Sequence, residues 1–271
     1  MSPTHASVLE PGQLRRALSR IPADTSLFSD FDGTLAPIVA DPAAAAPLPG
    51  TVNSLVALAR HYRRIAVLSG RPLSYLDPLL PAAVDIGALY GLEQRRGAVA
   101  GEHPEAARWR PVVNRATSAA SRRFIAHRGV TVEAKGLSLT VHYRNATDPA
   151  AAAEVQHWAQ QESGRTGLLA RGAKASVELH PPVTVDKGSV LTAWAQGSQV
   201  VAFFGDDVGD LTAFAALRHL AAHERIETYA VVIASEETPS EVLAAADVIL
   251  QGPPALAALL EGLVADLAPP T

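Results

Sequence analysis

Three short apolar runs, each cut off by a polar residue, constrain the architecture of this chain more than any other feature. Leu27-Phe28-Ser29 stops at Asp30, Ile65-Ala66-Val67-Leu68 stops at Ser69, and Val200-Val201-Ala202-Phe203-Phe204 stops at Gly205-Asp206. Apolar runs of this length bounded by turn residues read as buried strands. Between the first two, Val52, Leu55, Val56, Leu58 and Ala59 recur at helical spacing. A strand, helix, strand unit implies a parallel sheet with right-handed crossovers. Tyr229–Ile233 and Val248–Leu250 supply further strands and Ala255–Leu267 a last helix, while residues 9–21, with Pro11 ahead of Leu14, Leu18 and Ile21, form a short first one.

The pattern changes from about Trp109. A helix is expected over Val112–Ile125, then strands at Val130–Glu133 and Ser138–Arg144 around a turn at Ala134-Lys135-Gly136. Asp148-Pro149 has the form of an N-cap followed by proline at the first helical position, opening a helix to about Ser163. A second hairpin joins Leu168–Arg171 to Ala175–His180 around Gly172. Leu139, Val141 and Tyr143 oppose Ser138, Thr140, His142 and Arg144, and Val177 and Leu179 oppose Ser176, Glu178 and His180. Such alternation marks a sheet with one face packed and the other wet. The predicted fold class is therefore α/β, a doubly wound parallel-sheet (Rossmann-like) core. Residues 1–107 and 184–271 form that core, and 108–183 form an inserted α+β cap domain; 271 residues suffice for both.

In an open parallel sheet, ligands bind at the carboxyl ends of the strands, so Asp30, Ser69 and Asp206 should converge although far apart in sequence. Asp30-Phe31-Asp32-Gly33 offers two carboxylates where a strand opens into a loop, and Asp206, Asp207 and Asp210 add three more. Each motif alone is commonly an ordinary turn or cap; their joint occurrence at strand ends is not. So many acids repel unless a cation sits among them, and oxygen donors in a chain with no cysteine favour Mg2+ over zinc. A cationic side chain is needed as well. Of 23 basic residues only Lys135, Lys174 and Lys187 are lysine, and Lys187, at a helix start before Gly188, is the candidate.

These residues resemble the haloacid dehalogenase superfamily of phosphohydrolases. Asp30-Phe31-Asp32-Gly33-Thr34-Leu35, Ser69-Gly70-Arg71, Lys187 and Gly205-Asp206-Asp207-x-x-Asp210 are similar to its four motifs, in order. More narrowly, Leu89-Tyr90-Gly91, Glu133-Ala134-Lys135-Gly136, His142-Tyr143-Arg144 and Val177–Pro182 resemble segments of trehalose-6-phosphate phosphatases. The resemblance implies that Asp30 is the nucleophile and Asp32 the general acid and base. It further implies that Asp30, the main-chain carbonyl of Asp32, and Asp206 hold Mg2+, and that Asp207 and Asp210 orient metal waters or Lys187. Ser69, Gly70 and Lys187 would bind the phosphate, and Glu133, Lys135, Arg144, Lys174 and Glu178 the sugar. Two segments depart from the family pattern: Val208-Gly209-Asp210-Leu211, and Leu92-Glu93-Gln94 where a His-Gly pair is common.

A net charge of −4 with no basic block argues against nucleic acid as a partner. No apolar stretch reaches the length of a membrane span, and the first residues lack a signal-like pattern. The expectation is a monomeric cytoplasmic phosphatase acting on a small sugar phosphate. Sucrose phosphate, a glycosyl-glycerate phosphate, or silent sensing of a sugar phosphate are the alternatives to trehalose 6-phosphate.

Overall fold

A computed structural model describes residues 9–39, 41–173 and 175–267. The residues group into two compact units: those up to Ala100 with those from Val185 onward, and Gly101–Thr184. In chain order the elements begin with α1 (Pro11–Ser19), β1 (Thr25–Ser29), α2 (Thr51–Leu58), β2 (Arg64–Leu68), α3 (Leu73–Leu76), β3 (Asp85–Ala88), β4 (Glu93–Arg96) and β5 (Val99–Glu102). Then come α4 (Pro104–Ala107), α5 (Arg110–Phe124), β6 (Thr131–Ala134), β7 (Leu139–His142), α6 (Ala151–Thr166), β8 (Leu169–Ala173) and β9 (Ser176–His180). The last are α7 (Lys187–Trp194), β10 (Val200–Gly205), α8 (Leu211–Glu224), β11 (Glu227–Ala234), α9 (Ser240–Leu243), β12 (Val248–Gln251) and α10 (Gly252–Asp266).

One eight-stranded sheet has the order β12-β11-β10-β1-β2-β3-β4-β5. Strands β12 through β3 in that order run parallel, and β4 is antiparallel to β3. The central strands β1, β2 and β10 are buried on both sides because successive residues feed different cores. Leu27, Ile65, Val67, Ala202 and Phe204 pack with α1, α2 and α10. Phe28, Ala66, Leu68, Val201 and Phe203 pack with α7 and α8. Each fully buried Leu or Phe contributes about 1.5–3 kcal/mol, which secures the register on which the site depends. The chain moves outward from β1 to β2 and β3 on one side, and from β10 to β11 and β12 on the other. The switch point therefore falls between β1 and β10, where ligands of such sheets bind. The sequence pattern predicts neither β3, β4 and β5 nor α8, although Phe214, Leu217 and Leu220 of α8 are at helical spacing.

In the unit Gly101–Thr184, four antiparallel strands have the order β6-β7-β9-β8. Leu139, Val141, Val177 and Leu179 face Val113, Ala116, Phe124, Val155 and Ala159 of α5 and α6. Four expectations need correction. Gly172 is not the turn of the second hairpin but lies within β8, opposite Val177. The polar face is not uniformly wet, since Ser138 and Thr140 are buried. Arg144 lies beyond the end of β7 in an exposed turn and not on the strand. The second helix starts at Ala151, because the Asp148 carboxylate accepts from Ala150 N at 2.8 Å and closes a turn first. Lys174 lies outside the described residues. Among the described residues no helix is long and apolar enough to cross a membrane.

Candidate active site

Strand register brings the acids together. Ser29 pairs with Phe204 and with Val67, so Asp30 emerges between the ends of β10 and β2. Its own N–H donates to Phe204 O at 2.8 Å, prolonging the ladder by one residue. The chain then turns sharply, with Leu35 and Ala36 N–H both donating to Phe31 O and Gly33 N–H to Ala36 O. Gly33 has φ +76°, and a Cβ there would lie 2.1 Å from Asp206 Oδ2. Glycine is thus required twice, by conformation and by the closeness of the second acidic motif. Thr34 donates to Asp206 Oδ1 at 3.0 Å.

Asp210 organises the other half. Its Oδ2 accepts from the N–H groups of Asp206 and Asp207 at 2.9 and 3.2 Å, and its Oδ1 accepts from Lys187 Nζ at 2.6 Å. A Cβ on Gly205 would strike this carboxylate at 2.5 Å. Lys187 opens α7, whose N-terminus is fixed by a capping box in which Asp186 and Ser189 satisfy each other's N–H groups. Its ammonium also lies 2.7 Å from Asp30 Oδ1 and is 3 % exposed. Asp207 is exposed and caps the turn at Gly209 N–H, 2.8 Å away.

One ammonium cannot neutralise three carboxylates. Burial pushes the Asp30 carboxyl well above the usual carboxylate range, with Lys187 opposing and Asp210, Asp206 and Asp207 adding to the rise. Burial, then Asp210 and Asp207, push Asp206 up to about 7. Burial also raises Asp210, against the pull of Lys187. Lys187 is opposed by its own burial, yet Asp210 and Asp30 hold it well above the ordinary lysine value. It stays charged. Single oxygens of Asp30, Asp206 and Asp210 lie within 4.8 Å of one another, and the uncompensated negative charge suits a hard divalent cation. Both Asp210 oxygens are already engaged, which leaves Asp30 and Asp206 as the carboxylates fitted to hold it.

Ser69 follows β2 and is buried, its Oγ accepting from Arg71 N at 3.2 Å. Among the described residues its hydroxyl proton has no acceptor. The neighbouring segment is bent to support this loop: Leu89, Tyr90 and Gly91 have φ of 47°, 59° and 107°. Tyr90 N–H donates to Ser69 O and Leu89 N–H to Arg71 O, each at 2.9 Å. The Tyr90 ring would meet a Cβ on Gly70 at 2.7 Å, so Gly70 is where the ring fits. Left-handed conformations at two non-glycine residues cost about 1–2 kcal/mol each, offset here by that packing and bonding.

Arg71 is a residue of the candidate site that the sequence reading does not single out. Its guanidinium takes the Asp32 carboxylate in a bidentate pair, 2.7 Å on each arm, and lies 4.4 Å from the Tyr75 ring centroid. The planar fork explains why arginine stands there and not lysine. The only sequence signal is its place in Ser69-Gly70-Arg71, where its partner, 39 residues away, cannot be inferred.

In the unit Gly101–Thr184, Glu133, Lys135 and Glu178 come together on the polar sheet face. The Lys135 ammonium is 3.8 Å from Glu133 Oε2 and 3.9 Å from Glu178 Oε1. Ser138 donates to Glu178 at 2.7 Å, and His142 Nε2 lies 2.9 Å from Glu133. Arg171 approaches Glu178 to 4.0 Å. The described contacts do not bring Arg144 to this group.

Comparison with known proteins assigns the family. Residues 28–248 match the family model described as trehalose-phosphatase. The chain is 31% identical to a trehalose-phosphate phosphatase of Mycobacterium leprae over 209 residues, covering 72% of this chain and 48% of that protein. It is 36% identical to one of Mycobacterium bovis over 202 residues, covering 70% and 50%. The chain spans about half the length of the curated relatives it matches. The fold is similar to the solved C-terminal domain of a C. albicans trehalose-6-phosphate phosphatase, with TM-score 0.74, 21% identity and coverage of 96% and 99%. The motifs, the fold and the family match agree: the chain belongs to the trehalose-phosphatase family.

Proposed function

We propose that the chain hydrolyses trehalose 6-phosphate to trehalose and inorganic phosphate through an aspartyl phosphate. The observation that carries the reading is the charge arrangement at the β1/β10 switch point, with the Lys187 ammonium shared by Asp30 and Asp210 beside Asp206, in a chain of this family. The Asp30 carboxylate attacks phosphorus while the bond from phosphorus to the sugar oxygen breaks, and Asp32 gives that oxygen a proton. Asp32 then takes a proton from the water that attacks the aspartyl phosphate, releasing phosphate and restoring Asp30. Because Arg71 clamps the Asp32 carboxylate, proton transfer requires that pair to loosen. Ser69, the Gly70 backbone and Lys187 bind phosphate oxygens, with Asp210 holding Lys187 in place and Asp207 capping the same turn. Asp30, the main-chain carbonyl of Asp32, and Asp206 would hold Mg2+, which supplies positive charge against the phosphate dianion when bound.

The core is 1–107 with 184–271, and 108–183 serve as a cap that reads the sugar. Glu133, Lys135 and Glu178 are its sugar-contacting residues, supported by their grouping on the polar sheet face. Arg144 and Lys174 are assigned to the same task from the family resemblance alone. The protein works as a cytoplasmic monomer. Phosphate release is measured from trehalose 6-phosphate, sucrose 6-phosphate, a glycosyl-glycerate phosphate and a small aryl phosphate, in Mg2+ and in excess chelator. Preference for trehalose 6-phosphate with loss of activity in chelator is expected. Preference for another sugar phosphate overturns the substrate, and full activity in chelator overturns the metal.

A further inference from the structure

The polar face of the four-stranded sheet carries a hydroxyl that folding alone does not explain. Register places four residues in one row across all four strands: Glu133 opposite Thr140, Thr140 opposite Glu178, and Glu178 opposite Arg171. Directly paired residues point to the same face, with Cβ atoms about 4.5–5.5 Å apart. Three of the four are charged and engaged with neighbours. The fourth, Thr140, is 4 % exposed, and its Oγ1 finds no hydrogen-bond partner among the described residues. A buried polar atom left unpaired is costly, and a valine of almost the same shape would remove the cost. The hydrogen bonds of the described residues therefore do not account for the hydroxyl at this position.

The neighbours indicate what the reason is. Carboxylates only accept hydrogen bonds and an ammonium only donates them, whereas a hydroxyl does both. A row of acceptor, hydroxyl and acceptor with the Lys135 ammonium beside it matches a ligand that presents several hydroxyls in fixed positions, as a sugar does. We propose that Thr140 is a specificity-determining residue, its hydroxyl pairing with a hydroxyl of the bound sugar; this rests on the sugar-phosphate reading above. Its oxygen is covered in the present arrangement, so pairing requires a side-chain shift. The Lys135 ammonium in the same group is held only at 3.8 and 3.9 Å from Glu133 and Glu178, longer than a hydrogen bond.

The test uses Thr140→Val and Thr140→Ser in the full chain, with Tm and kcat/KM measured on trehalose 6-phosphate and on a small aryl phosphate. Thr140→Val should keep its Tm or raise it by about 2–4 °C, because an unpaired polar atom is removed. It should also lower the ratio of kcat/KM for the sugar phosphate to that for the aryl phosphate roughly ten-fold, the worth of one hydrogen bond. Thr140→Ser should restore most of that ratio. A lower Tm for the valine variant would mean that the hydroxyl has a structural partner. An unchanged ratio would mean that it meets no sugar. Either result overturns the proposal. If the wild type prefers a different sugar phosphate, the substrate reading fails while the Thr140 comparison is made on that sugar. If the wild type hydrolyses no sugar phosphate, both fall.

Discussion

Asp206→Asn should stabilise the metal-free protein at the expense of its chemistry. Asp206 is held at about 7 by burial and by Asp210 and Asp207, against 3.8 in an unfolded chain. A carboxyl whose folded pKa is raised contributes stability that is fully present below about pH 4 and is lost as the pH climbs through about 7. At about 1.36 kcal/mol per pH unit, the distance from 3.8 to about 7 amounts to about 4 kcal/mol. Asparagine is neutral, keeps the oxygen that accepts from Thr34, and escapes this cost. In excess chelator, urea unfolding followed by circular dichroism should show the variant more stable by about 4 kcal/mol near pH 8 and by under about 1 kcal/mol near pH 4. Added Mg2+ should raise wild-type stability and the variant's much less, since a cation that binds only the folded state stabilises in proportion to its affinity. A variant no more stable than wild type near pH 8, or a difference that does not change with pH, would refute the assignment of Asp206 as an under-compensated buried acid.

Three other variants separate the proposed roles. Asp30→Asn should fold with an unchanged circular dichroism spectrum and show no turnover, because an amide cannot serve as the nucleophile; residual turnover near wild type removes Asp30 from that role. Arg71→Ala removes the bidentate partner that positions Asp32 before the proton moves and should lower kcat on a sugar phosphate roughly 10–100-fold, a part of the ~10²–10⁴ typical of general acid–base catalysis. An activated aryl phosphate, whose leaving group needs no proton, should instead give a burst of phenol followed by slow release of phosphate. Equal loss in both steps and on both substrates would make Arg71 merely structural. Glu178→Ala should reduce kcat/KM for trehalose 6-phosphate about ten- to a hundredfold, as for loss of hydrogen bonds to a buried charged group, and the aryl phosphate much less. Equal losses on the two would assign Glu178 to folding.

The parts of the fold legible in the sequence are those in which burial alone decides the structure. β1, β2 and β10 are fully or almost fully buried, so their apolar runs end within a residue of the strand ends. β4 is Glu93-Gln94-Arg95-Arg96, and nothing in its side chains announces a strand. It is one because its backbone pairs with β3, and because Arg95, buried there, donates to Asp77 and to the carbonyls of Pro81 and Val84. Such partners come from 11 to 18 residues away and leave no periodic trace. β3, with only Ile86 and Ala88 apolar around Gly87, is similarly short of signal.

The candidate site divides along the same physical line. Asp30, Ser69 and Asp206 are visible because a parallel sheet collects its strand ends, and strand ends can be read from where apolar runs stop. Lys187 is visible only as a rare residue at a helix start, yet its two ion pairs make it the most constrained cation of the site. Arg71 and Thr140 are invisible for a different reason: each is defined by what it meets or lacks, a carboxylate on another loop in one case and a missing partner in the other. Both observations concern pairing, and pairing between distant segments is what a single sequence does not display. The alternating pattern of β7 assigns Thr140 to the polar face and so to water. Only the register beside Glu133 and Glu178, with the hydroxyl buried and without a partner among the described residues, singles out that ordinary strand residue as the candidate for a ligand contact.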